Sequence, residues 1–139
     1  MKRITVTALS FALALFLAAP STTQSQTKAP PGGTYKAVST LVPLPDFIPG
    51  LGTLFVDPAT LPAGPFLAYD HQGSLVSSIY MIPLKDMNAQ KNFDKLKVAH
   101  EKVDHVDIMY NAGHPGVAEP HYHVTLWYVS PQTAAKLSK

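Results

Sequence analysis

Residues 65–83 read PFLAYDHQGSLVSSIYMIP, and this stretch decides the fold class. Phe66 to Tyr69 is a short apolar run. Asp70-His71-Gln72-Gly73 follows as a turn, where glycine can take a positive φ without steric cost. Ser74 to Ile82 is a second run carrying Val, Ile and Tyr, residues that suit a pleated surface. Two such runs joined by a polar turn spell an antiparallel hairpin. Tyr80 and Met81 read as ordinary strand packing, and His71 as a solvated turn residue.

Working outward, Val103 to Tyr110 and His121 to Val129 read as two more strands. Upstream, Thr34 to Val42 alternates Tyr35, Ala37, Ser39 and Leu41 against Lys36, Val38, Thr40 and Val42, as a strand does. Pro43 to Pro65 holds six prolines in 23 residues. Proline cannot donate to a sheet ladder, so only Thr53 to Asp57 (TLFVD) reads as strand there. Asn88 to His100 suits one short helix with Phe93 and Leu96 inward; Lys91, Lys95, Lys97 and Lys102 form a solvated group beside it. Ser130 offers an N-cap and Pro131 a first helical position for a short C-terminal helix. The sum is a mainly β domain (α+β possible). Its expected form is an antiparallel β sandwich or small barrel, with one short helix before the last two strands and a short C-terminal helix.

The chain has 139 residues, enough for one modest domain. Lys2 and Arg3 open it, and Ala8 to Ala19 then runs almost without a polar side chain. A positive start followed by a short apolar stretch and small residues describes a secretory signal peptide. The apolar run is shorter than the ~20 residues a spanning helix needs, so no stable membrane insertion is expected after cleavage. The expected organisation is a signal peptide at 1–25, a flexible linker at 26–33 and a single β-rich domain at 34–139. The expected location is the periplasm, the cell envelope or the exterior.

There are no cysteines, which excludes disulfides, thiolate metal sites and cysteine nucleophiles together. Charged residues make up 14% of the chain and hydrophobic ones 46%, too apolar for a disordered polypeptide. Of eleven Lys plus Arg, two leave with the signal, so the remainder balances the nine Asp plus Glu. A neutral mature chain without a basic aromatic patch argues against nucleic acid as a partner. Neutrality without disulfide staples favours self-association as a route to stability.

The chemistry lies between Asp104 and Trp127. On the last strand His121, His123, Thr125 and Trp127 share one face, and Tyr122, Val124, Leu126 and Tyr128 share the other. On the strand before it, His105, Asp107 and Met109 oppose Val106, Ile108 and Tyr110. Pairing these strands core to core sets His105 and Asp107 on the surface of His121 and His123. The connecting loop, Asn111 to Pro120, adds His114 and Glu119. Imidazole and carboxylate are ligands for zinc, manganese and non-haem iron. His105, His114, His121, His123, Asp107 and Glu119 are therefore the candidate ligands of a divalent metal, zinc or manganese. Asp107 or Glu119 can alternatively serve as a general base. The competing reading is a polar, partly exposed sheet face or a subunit contact. Trp127, on the same face, is expected either to stack on a ligand or to pack against a loop or another subunit.

His123-Val124-Thr125-Leu126 also fits the H-hydrophobic-Thr-hydrophobic motif of the two-histidine phosphoesterases. Its apparent pair at His105 has Asp107 in place of the hydroxyl residue and lies too near in sequence for a duplicated two-lobe fold. The cupin pattern fails for want of a suitably spaced glutamate. No G-x-S-x-G, phosphate loop or dinucleotide fingerprint is present.

A set of short motifs carries a resemblance. Gly64-Pro65-Phe66 leads into Tyr69-Asp70, followed by Ile79-Tyr80-Met81-Ile82-Pro83. Val103-Asp104-His105-Val106-Asp107 precedes Tyr110-Asn111 and Gly113-His114-Pro115-Gly116. Pro120-His121-Tyr122-His123 and Leu126-Trp127 complete the set. With these motifs, Gly52 through Val129 resembles a family of small exported bacterial proteins with no assigned activity, known structurally from a Thermus member. The resemblance implies a β-rich fold, an extracytoplasmic location and a high-order homo-oligomer, and supplies no function. Three readings follow: an envelope protein holding a divalent metal or small ligand on its histidine face, a structural or stress-related oligomer without a ligand site, and a metal-assisted hydrolase. The first two taken jointly are the expectation.

Overall fold

The structure, a computed structural model, describes residues 27–139. The signal peptide expected at 1–25 lies outside the described residues. Six strands form one antiparallel sheet: β1 (Lys36–Ala37), β2 (Thr53–Val56), β3 (Phe66–Tyr69), β4 (Leu75–Pro83), β5 (His105–Asn111) and β6 (His121–Trp127). Their order across the sheet is β1-β2-β3-β4-β6-β5, so the sheet is open and is not closed into a barrel. Helix α1 (Leu84–Asn88) precedes β5, and α2 (Pro131–Ala134) follows β6. The mainly β fold with these two short helices is the one the sequence predicts.

The hairpin of β3 and β4 forms around its polar turn. Asp70 Oδ1 accepts from the backbone N–H groups of Gln72 and Ser74 at 2.9 and 2.8 Å, which closes the turn from within. Thr27 and Ala29 lie against this turn: the Thr27 carbonyl accepts from Leu75 N–H, and Ala29 N–H donates to the Gly73 carbonyl. His71 is exposed at the turn and stacks on Phe47, ring centroids 3.6 Å apart.

Two local expectations are corrected. The strand predicted over Thr34 to Val42 is only Lys36–Ala37, after which the chain tightens into a 3-10 turn at Val38–Thr40. Thr40 Oγ1 donates to the Ala37 carbonyl at 2.6 Å, a local bond that competes with strand pairing. The helix predicted over Asn88 to His100 lies earlier, at Leu84–Asn88, and ends where Gln90 takes a left-handed φ of 57°. The chain beyond is irregular. It is held by the Tyr80 hydroxyl, which donates to the Lys97 carbonyl at 2.6 Å, and by burial of Ala99.

Each sheet face carries its own core. On the inner face Leu54, Val56, Phe66, Ile79, Met81 and Trp127 pack under Val38 and the proline-rich segment up to Leu51. Leu137 closes this cluster from the C-terminal turns, where its carbonyl accepts from Gly50 N–H at 2.8 Å. On the outer face Leu67, Tyr69 and Leu75 pack with Ala99, Tyr35 and Tyr128. Each large apolar side chain so buried contributes about 1.5–3 kcal/mol. Strands β3 and β4 are consequently covered on both faces.

On β6 the more deeply covered face is the opposite one to that predicted. β5 and β6 pair as expected, with His105 across from Trp127, Asp107 from Thr125 and Met109 from His123. But His121 is 0% exposed, Thr125 4% and Trp127 7%, so on β6 the histidine face is largely interior, while Met109 on the same face of the edge strand β5 is 63% exposed. The supposed core face looks outward: Val106 is 52% exposed, Ile108 67% and Tyr110 56%. Alternation dictates which residues share a face, and the covering segments decide which face is inside.

Candidate metal centre

His121 and His123 stand two apart on β6, so their side chains leave the sheet on the same side. The entry to β6 is clamped to α1: Leu84 N–H donates to the Pro120 carbonyl at 3.0 Å, and Lys85 pairs with the Glu119 carboxylate at 2.6 Å. His114 comes from the β5–β6 loop, which folds back in a bridge between His114 and Val117. Asn111 starts the loop by accepting at Oδ1 from Gly113 N–H at 2.8 Å. Gly113 has φ +132°, and a Cβ there would stand 2.6 Å from the Ala118 carbonyl oxygen. Only glycine fits this bend, and the bend swings His114 over the strand.

The three imidazoles meet through their Nε2 atoms. His121 Nε2 lies 3.2 Å from His114 Nε2 and 2.9 Å from His123 Nε2. Ligand atoms of all three fall within 4.8 Å of one another. The tautomers follow from the partners behind the rings. His121 Nδ1 is 2.6 Å from the Glu119 carbonyl, and His114 Nδ1 is 2.9 Å from the Pro115 carbonyl. A carbonyl only accepts, so both Nδ1 atoms carry a proton, and the neutral form of each ring presents an Nε2 lone pair. Two lone pairs then face each other 3.2 Å apart. One proton on His123 can bridge to His121 but cannot serve both approaches, whereas a cation satisfies all three nitrogens.

Two of the three separations, 3.2 and 2.9 Å, suit that cation, and the third lies within 4.8 Å. Tetrahedral zinc with Zn–N bonds of 2.0–2.1 Å sets its nitrogens about 3.4 Å apart. Carbonyls on the outer ring nitrogens are the usual second shell of metal-bound histidine, fixing ring tilt and basicity. Burial pushes the His123 imidazole down to about 4, and the neighbouring His121 and His114 rings push the same way. The ring is therefore neutral at neutral pH, the form a metal requires. Three imidazoles without a carboxylate are the donor set of zinc rather than of manganese, which prefers oxygen.

The remaining candidates stand elsewhere. His105 shares the face of His123 but sits four residues along β5 from the register of that histidine, roughly 13 Å away. Its ring stacks on Trp127 at a centroid distance of 5.9 Å, and its Nδ1 meets Asp104 Oδ1 at 2.9 Å. Asp107 Oδ2 accepts from Trp127 Nε1 at 2.8 Å. Trp127 thus packs inside its own chain. The Glu119 carboxylate turns outward to Lys85, while its carbonyl serves His121. Of the six candidates the structure joins His114, His121 and His123.

A cavity of about 290 Å³ adjoins the triad. Its sheet wall includes Leu54, Phe66 and Met81, and Val42 and Ile48 line it from the covering segment. His114, His123 and Asn111 are its polar lining residues. Sequence reasoning missed this cavity. The density of apolar residues among the prolines of 41–51 was its one trace, since a segment with no strand or helix period still has to cover something.

No protein-family model matches the chain, and no curated protein matches it. A crystal structure of a hypothetical protein from Thermus thermophilus does. It superposes with a TM-score of 0.62 at 47% sequence identity, over 68% of this chain and 88% of the Thermus chain.

Proposed function

Since the chain belongs to the family of that hypothetical Thermus thermophilus protein, which comes with no activity attached, we propose from the site itself that this is an exported, self-associating envelope protein binding a divalent metal, zinc before manganese, through His114, His121 and His123. One observation carries the metal reading: three Nε2 atoms converge, and two of them are held as lone-pair donors by backbone carbonyls behind the rings. Zinc bound there has three protein ligands, which leaves a fourth position for water or a ligand. Neither Asp107 nor Glu119 joins the histidines, so binding is favoured over hydrolysis. Export rests on the N-terminal Lys2-Arg3 and the apolar run after it; among the described residues no helix is long and apolar enough to cross a membrane.

Self-association is supported by the exposed outer face of the edge strand β5. Val106, Ile108 and Tyr110 are exposed side by side on an edge strand, an arrangement that soluble monomers avoid.

The metal reading is tested by zinc titration of the mature chain, with bound metal counted by mass. Wild type is expected to take up about one zinc per chain. His121→Ala and His123→Ala are each expected to weaken uptake by at least 100-fold, with circular dichroism unchanged. Full zinc uptake by His121→Ala would sink the reading.

A further inference from the structure

The cavity beside the triad has a definite chemical character. Most of its walls are aliphatic or aromatic, and its polar residues stand together: Asn111, His114 and His123. His121 does not line it; fully buried, it reaches the other two rings from behind. A cation bound by all three Nε2 atoms therefore borders the chamber, with its fourth position available to an occupant. Three neutral imidazoles leave the full charge on the ion, so the favoured ligand atom is anionic. Asn111 spends its Oδ1 on Gly113 N–H, which leaves its NH₂ group as donor to a second oxygen.

These features select the head group. Two oxygens have partners here, one on the metal and one on Asn111, which matches a carboxylate. A phosphate carries three strong acceptor oxygens and up to two charges, and the lining residues offer too few donors for it. They also select the tail. A volume of about 290 Å³, at about 30 Å³ for each water-sized unit, holds roughly ten non-hydrogen atoms. Octanoate has that many.

Building on the metal reading, we propose that the chamber is a binding site for a medium-chain aliphatic carboxylate, its head on the metal held by His114, His121 and His123 and its chain against Val42, Leu54, Phe66 and Met81. The metal supplies the anchor and the apolar wall supplies chain-length selectivity.

The test uses the mature chain loaded with cobalt(II), whose visible spectrum reports its ligands. Acetate, butyrate, hexanoate, octanoate and dodecanoate are titrated in turn, and octanoate is also titrated into metal-free protein. The proposal expects each added methylene to tighten binding about fourfold up to octanoate, as about 0.8 kcal/mol per buried CH₂ requires, with no further gain at dodecanoate. It also expects the cobalt bands to shift on binding and octanoate to bind at least tenfold more weakly without metal. Cobalt uptake with equal affinity for acetate and octanoate would overturn the chamber and leave the metal site standing. So would octanoate binding that ignores the metal and keeps tightening at dodecanoate, the behaviour expected of the exposed β5–β6 face. Failure to take up cobalt would overturn both.

Discussion

Gly113 shows how much of the centre rests on one missing side chain. Its φ of +132° lies in a region other residues rarely adopt, and an added Cβ would meet the Ala118 carbonyl oxygen at 2.6 Å. Replacing Gly113 by Ala is expected to cost about 1–3 kcal/mol and to weaken zinc binding by displacing His114 next to it. Urea unfolding and zinc titration of the variant check both; an unchanged midpoint would show that the loop has another conformation open to it. The histidines were visible in the sequence as residues, and the pairing of His121 with His123 was visible through the i, i+2 rule. His114 joining them, and not His105, was beyond local reasoning. The His114 position depends on the Gly113 bend, while His105 follows the straight register of β5 and ends beside Trp127.

At the scale of elements, the segments without regular structure do the covering. Asp57 begins one of them: its Oδ1 accepts from Ala59 N–H, capping the 3-10 turn Pro58–Thr60, and its Oδ2 meets Lys97 Nζ at 3.1 Å. The bond from Ala59 N–H, with the Lys97 ammonium and the Thr34 side chain, holds the Asp57 carboxyl below its usual value. The unfolded chain therefore takes up this proton at a higher pH than the folded chain does. The stabilisation is complete above about pH 4 and is lost as the pH falls through the lower, folded value. Asp57→Asn is expected to be less stable than wild type at pH 7 and to lose less on going to pH 3. Urea midpoints at the two pH values measure this, and parallel losses in both proteins would refute it. The hairpin was legible because Asp70 to Gly73 is a local signal. The misplaced helix was not, because Phe93, Leu96 and Ala99 imitate a helical period while Tyr80 anchors the Lys97 carbonyl and the chain packs without one.

Across the whole molecule, the histidine face of β6 is largely interior, while the outer face of the edge strand β5 is exposed. Ile108, at 67% the most exposed large apolar side chain among the described residues, marks the centre of this patch between Val106 and Tyr110. If copies associate through it, Ile108→Lys should lower the solution mass measured by sedimentation. The stability of the chain itself should stay within about 0.5 kcal/mol, since the side chain packs little. An unchanged mass would place the contact elsewhere. The Thermus relative shares 47% of its residues over most of its length, so the same variant at the matching position is a natural parallel. By itself, the sequence determined the antiparallel hairpin, the mainly β class, the pairing of β5 with β6 and the sharing of one face by His121 and His123. Each of these follows from period-two alternation and local turn chemistry. Only the tertiary structure decided that the histidine face is inside, that His114 completes the triad and that a cavity opens beside it. Those outcomes depend on where a proline-rich segment without periodicity comes to rest, and that is set by contacts far apart in the chain.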